Sequence, residues 1–494
     1  KVLPDMGYPS LLYKSAPKLS PMELTVFEDL QLLNFIPKSV AKTVKIPCEA
    51  ENITARQALF RSLSGSDARE KFSRLLEISA ELNSLDSIYS SARCDAEKSA
   101  VFLALMRTER EFAVNAAASG FGDALSDCFA AAFSREIKGE SYRSMSAEID
   151  SLYPEYEKQL DISLKSHGQE IKVGTASDVT YFDRIVKCAG TLGIEPPKVR
   201  ETKKRRLSPD IITAVSSLSP ELSEKLAAFS KKYSSLYVRP VIYYHSELRF
   251  YVTMLGFLDM IAEAGIPLTY PELSDERGIH VTEAYDVSLL AKNEKHIVPN
   301  DIEFTDAEPF YYLTGANGGG KTTYLRTVGI SAVLFMNGCP VPARYAKFGR
   351  LSSVFTHFPR DERFDGSGRF VEENGRVNKI LERMDGNSLV LLNETYSATN
   401  EENAVIMTEK LANLLYGKKI FGLYITHQHS LAESEIPYLN VLIDRNDSNR
   451  RTFRIAKQKS TGGSFARDIL ERYGLTPEAL TARFGSPDGK AKEE

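Results

Sequence analysis

The stretch FYYLTGANGGGKTTYLRTVG, residues 310–329, decides the fold. Its opening residues are apolar and β-favouring, Gly315 to Thr322 match G-x-x-x-x-G-K-[ST], and Thr323 to Phe335 then read as a helix. Strand, glycine-rich turn and helix in that order build a phosphate-binding loop. Gly315, Gly318, Gly319 and Gly320, with Asn317 in the same turn, let backbone amides converge on phosphate oxygens, while the helix starting near Lys321 adds its positive end. Lys321 is expected to reach the β and γ oxygens and Thr322 to offer a hydroxyl to Mg²⁺, with Thr323 beside them in the phosphate-binding set. ATP and Mg²⁺ are the implied cofactors.

About seventy residues downstream, Leu389-Val390-Leu391-Leu392-Asn393-Glu394 is an apolar run that ends in two polar side chains. In an open α/β sheet ligands sit at the carboxyl ends of strands, so this end belongs beside the phosphates. Such an end normally carries Asp and then Glu. Asn393 can hydrogen-bond a metal-bound water but brings no charge, and loss of such a partner typically costs about 10 to 100-fold in metal affinity or activity. Metal binding or turnover is therefore expected to be weak. Glu394 remains as the carboxylate that orients or deprotonates the attacking water. A third run, Gly422 to Thr426, ends at His427; taken alone a histidine after a strand is more often structural, but after the other two motifs it is placed to touch the γ-phosphate or the water.

From about residue 270, short β-type runs alternate with helices: Tyr311 to Thr314, Val354 to Thr356, Leu389 to Leu392, Gly422 to Thr426 and Val441 to Asp444. That alternation predicts a mostly parallel sheet with helices on its faces. Before about residue 265 the periodicity is helical. Leu222, Leu226, Phe229, Tyr233 and Leu236 form one stripe; Leu248, Tyr251, Leu255, Leu258 and Ile261 form another, stopped by Gly265 and Pro267. Met145, Ile149, Leu152, Tyr156 and Leu160 make a third, which Pro154 should kink or divide. These stripes describe burial rather than chemistry. Between them lies PPKVRETKKRR, residues 196–206, with Lys203, Lys204, Arg205 and Arg206 at its end. It is either a DNA-phosphate contact, whose binding would fall steeply with salt, or a solvated face.

The 494 residues suggest two to four domains. With 43% apolar, 26% charged and 10% aromatic residues, the composition excludes a wholly disordered chain and a collagen-like repeat. Sixty-two Lys and Arg against 66 Asp and Glu give a net charge of −4, so any polyanion site must be local. Five scattered cysteines without zinc spacing argue against a structural metal or a disulfide framework and favour a reducing, cytoplasmic setting. No secretory signal is expected in the first 30 residues, although a chain that opens at Lys1 can lack residues upstream. The longest uncharged run, Thr327 to Ala343, is too short and mixed to span a membrane.

The chain resembles the MutS family of DNA mismatch-repair ATPases. The resemblance runs in order through HIVPND (296–301), TGANGGGKTTYLRTVG (314–329), CPVPA (339–343), VFTHF (354–358), SGRFVEE (367–373), LVLLNET (389–395), ITHQHSLAE (425–433) and GGSFARDI (462–469). It implies two parts: a long-helix, all-α lever and core over 1–268, with a shortened clamp near 165–220, and an α/β P-loop NTPase domain of the ABC/MutS type over 269–494. It further implies that Lys321 and Thr322 bind phosphate and Mg²⁺, Glu394 supports hydrolysis, His427 senses the γ-phosphate and Ile297 packs on adenine. In the family two ATPase domains dimerise and complete each other's sites, here through Ser367, Gly368, Phe370 and Glu373. Gly368 and Arg369 stand where Ser and Thr are usual, so the composite site is altered.

The chain is expected to lack the mismatch-recognition and connector domains and a C-terminal nuclease-like domain. It would therefore be a divergent member that recognises DNA structure rather than mismatches. The implied function is an ATP-dependent DNA clamp, a homodimer that closes helical arms on duplex or branched DNA. The alternative is an ATP-gated dimeric scaffold with weak or no hydrolysis that recruits protein partners.

Overall fold

The computed structural model describes residues 3, 7–14, 24–44, 49–159, 162–167, 170–175, 216–294, 296–359, 369–396, 401–426, 435–443 and 451–457. They form two compact units, one of Lys1–Leu11 with Ser62–Arg249 and one of Leu12–Arg61 with Phe250–Glu494. Compactness thus does not follow a linear cut at 268/269, because the segment Leu12–Arg61 packs with the later part of the chain.

The first unit is built on helices Ser66–Ser90, Asp95–Ala117, Ala124–Glu136, Glu140–Gln159 and Pro220–Tyr233. Local chemistry fixes their starts. Asp123 accepts the amides of Leu125 and Ser126 at 3.1 and 3.0 Å, capping one helix. Cys94 and Glu97 together cap the preceding helix, Asp95–Ala117, Cys94 Sγ accepting from the Glu97 amide and Glu97 Oε2 from the Arg93 amide. The apolar stripes then meet: Phe102, Leu103 and Met106 pack with Met145, Ile149 and Leu152 and with Leu222, Leu226, Phe229 and Tyr233. Full burial of each such side chain is worth about 1.5–3 kcal/mol, which helix propensity alone cannot match.

One expectation for this half is narrowed and another corrected. Of the two outcomes expected at Pro154, division does not occur, for the helix runs unbroken over Glu140–Gln159. The proline lies near the end, where one lost hydrogen bond is outweighed by burial of Met145, Ile149 and Leu152. Nor is the half wholly helical, for Ile162–His167 and Glu170–Thr175 pair antiparallel, with His167 opposite Glu170. The alternation in ISLKSH and EIKVGT around Gly168-Gln169 is the pattern of a tight hairpin.

The second unit is centred on a six-stranded sheet. Its strands are β1 (Phe310–Thr314), β2 (Ser353–His357), β3 (Ser388–Asn393), β4 (Phe421–Ile425), β5 (Tyr438–Ile443) and β6 (Arg451–Lys457), in the order β6-β5-β1-β4-β3-β2. All neighbours are parallel except β5 and β6. Every residue of β1, β3 and β4 is buried, as continuous apolar runs in a sheet covered on both faces should be. On one face Tyr312, Val390, Leu392 and Tyr424 meet Val377 and Ile380 of helix Arg369–Arg383 and Leu411 and Leu415 of helix Glu401–Gly417.

Helix Lys321–Met336 is buried on nearly all sides. Arg56, itself fully buried, anchors the far end of that helix, donating to Leu12 O at 2.8 Å and to the Asn337 side chain at 3.3 Å. A four-stranded sheet, Glu272–Leu273, Tyr345–Phe348, Ile279–Ala284 and Asn300–Phe304 in that order, completes the unit. Among the described residues no helix is long and apolar enough to cross a membrane.

Candidate phosphate-binding site

Strand ends and a helix start meet at one edge of the large sheet. Ile425 sits opposite both Leu313 and Asn393, so β1, β4 and β3 release their chains side by side at their carboxyl ends. The turn after β1 must reverse in very little space. Gly315 has φ +128°, and a Cβ there would lie 2.8 Å from Val441 Cβ; Gly320, at φ +97°, is the cap from which the helix begins at Lys321. Only glycine takes both conditions without strain; the Gly319 amide donates to Ala316 O at 3.1 Å within the turn, and such a turn can present its other amides to an anion.

The Lys321 side chain is buried and folds back over that turn. Its Nζ donates to Gly315 O at 2.8 Å, to Ala316 O at 3.2 Å and to Asn317 Oδ1 at 3.4 Å. These acceptors are neutral. Burial lowers the ammonium pKa to about 8; Glu394 opposes the shift and Arg451 adds to it. A bound polyanion would return what burial removes.

Lys321 lines a cavity of about 470 Å³ together with Asn317, Gly318, Gly320, Thr322, Thr323 and Glu394. This volume falls within the range of about 300–1,000 Å³ usual for small-molecule sites. Its other wall is formed by Leu289, Glu294, His296, Val298, Asn300 and Phe453. Ile297 is half-buried between two of these residues but is not itself part of the lining.

Glu394 and Tyr396 follow β3 with φ of +49° and +68°, left-handed conformations that side chains of this size seldom adopt. The surroundings enforce them. The Glu394 amide donates to Ile425 O at 3.0 Å, and Tyr424 OH donates to Thr395 O at 2.8 Å. Thr395 Oγ1 also lies 3.1 Å from His357 Nδ1 in a buried contact. Strain held at the lip of a cavity and aimed at one carboxylate is characteristic of a functional position. Just before it, Asn393 is 7% exposed, and its Oδ1 has no hydrogen-bond partner among the described residues. The Thr322 hydroxyl, the Glu394 carboxylate and the Asn393 amide oxygen are hard oxygen donors of the kind Mg²⁺ takes, with one negative charge among them.

The remaining expected site residues are not among the described residues that line this cavity. Glu373 is buried in helix Arg369–Arg383, close enough to Tyr396 that its charge, after burial, helps raise the phenol pKa. Phe370 lies in the first turn of that helix. Ser367, Gly368, His427 and Lys203 to Arg206 lie outside the described residues. His296, Val298 and Asn300 belong to the HIVPND segment, so their presence at the cavity had a sequence signal; Phe453 had none. Its position follows from Asn300, which donates to Phe453 O at 3.0 Å and accepts from the Ile455 amide at 2.8 Å.

Residues 311–465 match the family MutS domain V. The chain is 32% identical to a DNA mismatch repair protein MutS of Fervidobacterium nodosum over 265 residues, 51% of this chain and 31% of that protein. It is 28% identical to a DNA mismatch repair protein msh3 of Aspergillus fumigatus over 271 residues, 52% of this chain and 24% of the relative. With the MutS protein homolog 4 of Mus musculus it shares 28% over 193 residues, 38% and 20% of the two chains. Similarity to MutS proteins thus extends over about half of the chain, which in turn spans under a third of the length of these relatives.

Proposed function

We propose that the chain is a MutS-type ATPase that couples ATP binding and hydrolysis to the closure of helical arms on DNA. The observation that carries this reading is the buried Lys321 ammonium, turned onto the phosphate-loop carbonyls and bordering the same cavity as Glu394, within the stretch that matches MutS domain V. Lys321 would leave its carbonyl partners for the β and γ oxygens of the nucleotide, and the loop amides would take the remaining phosphate charge. Thr322 and Asn393 would hold Mg²⁺, which when bound neutralises charge building on the transferred phosphoryl group. Glu394 would orient the attacking water and accept its proton, and His427 would register the γ-phosphate. Catalysis is then mostly positioning and charge neutralisation.

The rest of the reading extends from that site. The helical part, over 1–268 with a reduced clamp near 165–220, would supply the arms, and Lys203 to Arg206 would contact DNA phosphates. Two copies would pair through the segment from Ser367 and Gly368 to Phe370 and Glu373, where Val371, 65% exposed, is open to a second chain. Ile297 would support the adenine from the wall that His296 and Val298 form.

Phosphate release from ATP tests the proposal. Mg²⁺-dependent hydrolysis that is lost in Glu394→Gln while ATP binding survives, and loss of binding in Lys321→Ala, are the expected results. Calorimetry showing no ATP binding with Mg²⁺ in excess removes the reading. DNA binding that drops steeply between two salt concentrations, and weakens when Lys203 to Arg206 are neutralised, supports the clamp; salt-independent or absent binding refutes that part alone. Asn393 favours a second reading, a nucleotide-gated scaffold with slow turnover, because an uncharged amide stands where a carboxylate would hold the metal. Brisk single-turnover hydrolysis eliminates it.

A further inference from the structure

The helical unit contains a cavity of about 300 Å³ that has no part in the nucleotide site. Met106 and Glu109 line it from helix Asp95–Ala117, Glu136 from the end of helix Ala124–Glu136, Tyr142 and Met145 from helix Glu140–Gln159, and Val238 from the chain beyond. Glu109 is 4% exposed. Its Oε1 accepts the Val238 amide at 3.2 Å, whereas its Oε2 has no hydrogen-bond partner among the described residues. A buried carboxyl oxygen left open on a cavity wall is a polar group that calls for a partner.

We propose that this cavity binds a small organic ammonium ion, its charged head between the Glu109 and Glu136 carboxylates and its apolar body against Met106, Met145 and Val238. The sign of the charge follows from the walls: two carboxylates face the space, and a third, Glu140, stands exposed at its rim. The neighbouring cation on the same helix is committed elsewhere, since Arg110 donates to Ser146 O, Ser146 Oγ and Asp150 Oδ1 at 3.0, 3.0 and 2.7 Å. A compact divalent ion fits less well, because among the described residues no three acidic, histidine or cysteine side chains converge on one point. The methionines suit a flexible alkyl chain, which their unbranched thioethers can follow. Burial, reinforced by Glu136, pushes the Glu109 carboxyl up to about 8, so without a cation it keeps its proton at neutral pH. An ammonium group would stabilise the ionised form and release that proton.

The test uses the full chain labelled at its methionine methyls and titrated with n-hexylammonium chloride, with n-hexanol as the neutral control. Saturable shifts of the Met106 and Met145 methyl signals with the amine, at an affinity at least tenfold above that for the alcohol, are expected. Glu109→Gln and, separately, the half-buried Glu136→Gln should each weaken amine binding severalfold while leaving the other methionine signals in place. Equal binding of amine and alcohol, unmoved Met106 and Met145 signals, or undiminished amine affinity in both variants overturns the proposal. Should Glu109→Gln fail to fold, Glu136→Gln and the amine-to-alcohol ratio still decide it.

Discussion

The Lys321 ammonium donates to the Gly315 carbonyl oxygen across 2.8 Å, closing the phosphate loop on itself. With burial lowering its pKa to about 8, the lysine is partly neutral just above physiological pH. A bound triphosphate would raise that pKa. ATP affinity should therefore be flat below about pH 8 and fall above it, toward tenfold per pH unit, because binding must then take up a proton. Calorimetry in buffers of different ionisation enthalpy reads the proton directly, and affinity unchanged from pH 7 to 9.5 would contradict the assignment.

Gly315→Ala combines a left-handed backbone with a Cβ 2.8 Å from Val441 Cβ. The expected cost is about 1–3 kcal/mol of unfolding free energy together with loss of ATP binding. Adding Val441→Ala should recover only a small part of the stability, since it removes the Cγ2 contact at 2.9 Å but neither the Cβ contact at 2.8 Å nor the φ of +128°. Urea titrations of the single and double variants measure both.

Asn393→Asp places a charge at an amide oxygen that is buried and lacks a described hydrogen-bond partner. Mg²⁺ affinity in the presence of ATP should rise about tenfold or more, and the variant without metal should be less stable than the parent. Metal titration of hydrolysis and thermal melting with and without Mg²⁺ check the two halves of that expectation.

Asp29 is 7% exposed and joins three distant segments: Thr356 Oγ1 donates to its Oδ2 at 2.7 Å, Arg376 lies 3.5 Å from the same oxygen, and Arg326 donates to its backbone oxygen at 3.2 Å. Asp29→Ala should cost about 2–3 kcal/mol, because it takes the acceptor at 2.7 Å from the buried Thr356 hydroxyl and removes the ion pair with Arg376, which keeps its bond to Phe358 O at 3.0 Å. A double-mutant cycle with Arg376→Ala should return a favourable coupling; strict additivity would show that the pair contributes nothing.

Glu109 sets a pH dependence of stability. Its carboxyl sits at about 8 when folded against an ordinary 4.5, so between those values the folded state holds a proton the unfolded state has lost. Stability should fall as pH rises through that window, at most about 1.4 kcal/mol per unit, and level off above it. Burial raises Glu136 in the same direction. Glu109→Gln should flatten most of the slope in urea unfolding measured from pH 5 to 9.

The sequence by itself determined what is local. Strand, turn and helix around Gly315 to Thr322 follow from apolar runs, glycine spacing and one lysine, all within twenty residues, and the same kind of signal marked Asn393 and Glu394 at a strand end. Helical stripes could be read because burial repeats every three or four residues. What only the tertiary structure decided depends on residues far apart in the chain. Asp29 meets Thr356 across 327 positions, Asn300 fixes Phe453 across 153, and Glu109 finds the Val238 amide across 129. No periodicity encodes such pairs, since each exists only once several elements have packed. The cavity beside Glu109 has the same origin, for its walls come from separate helices whose individual patterns report only that each has a face to bury.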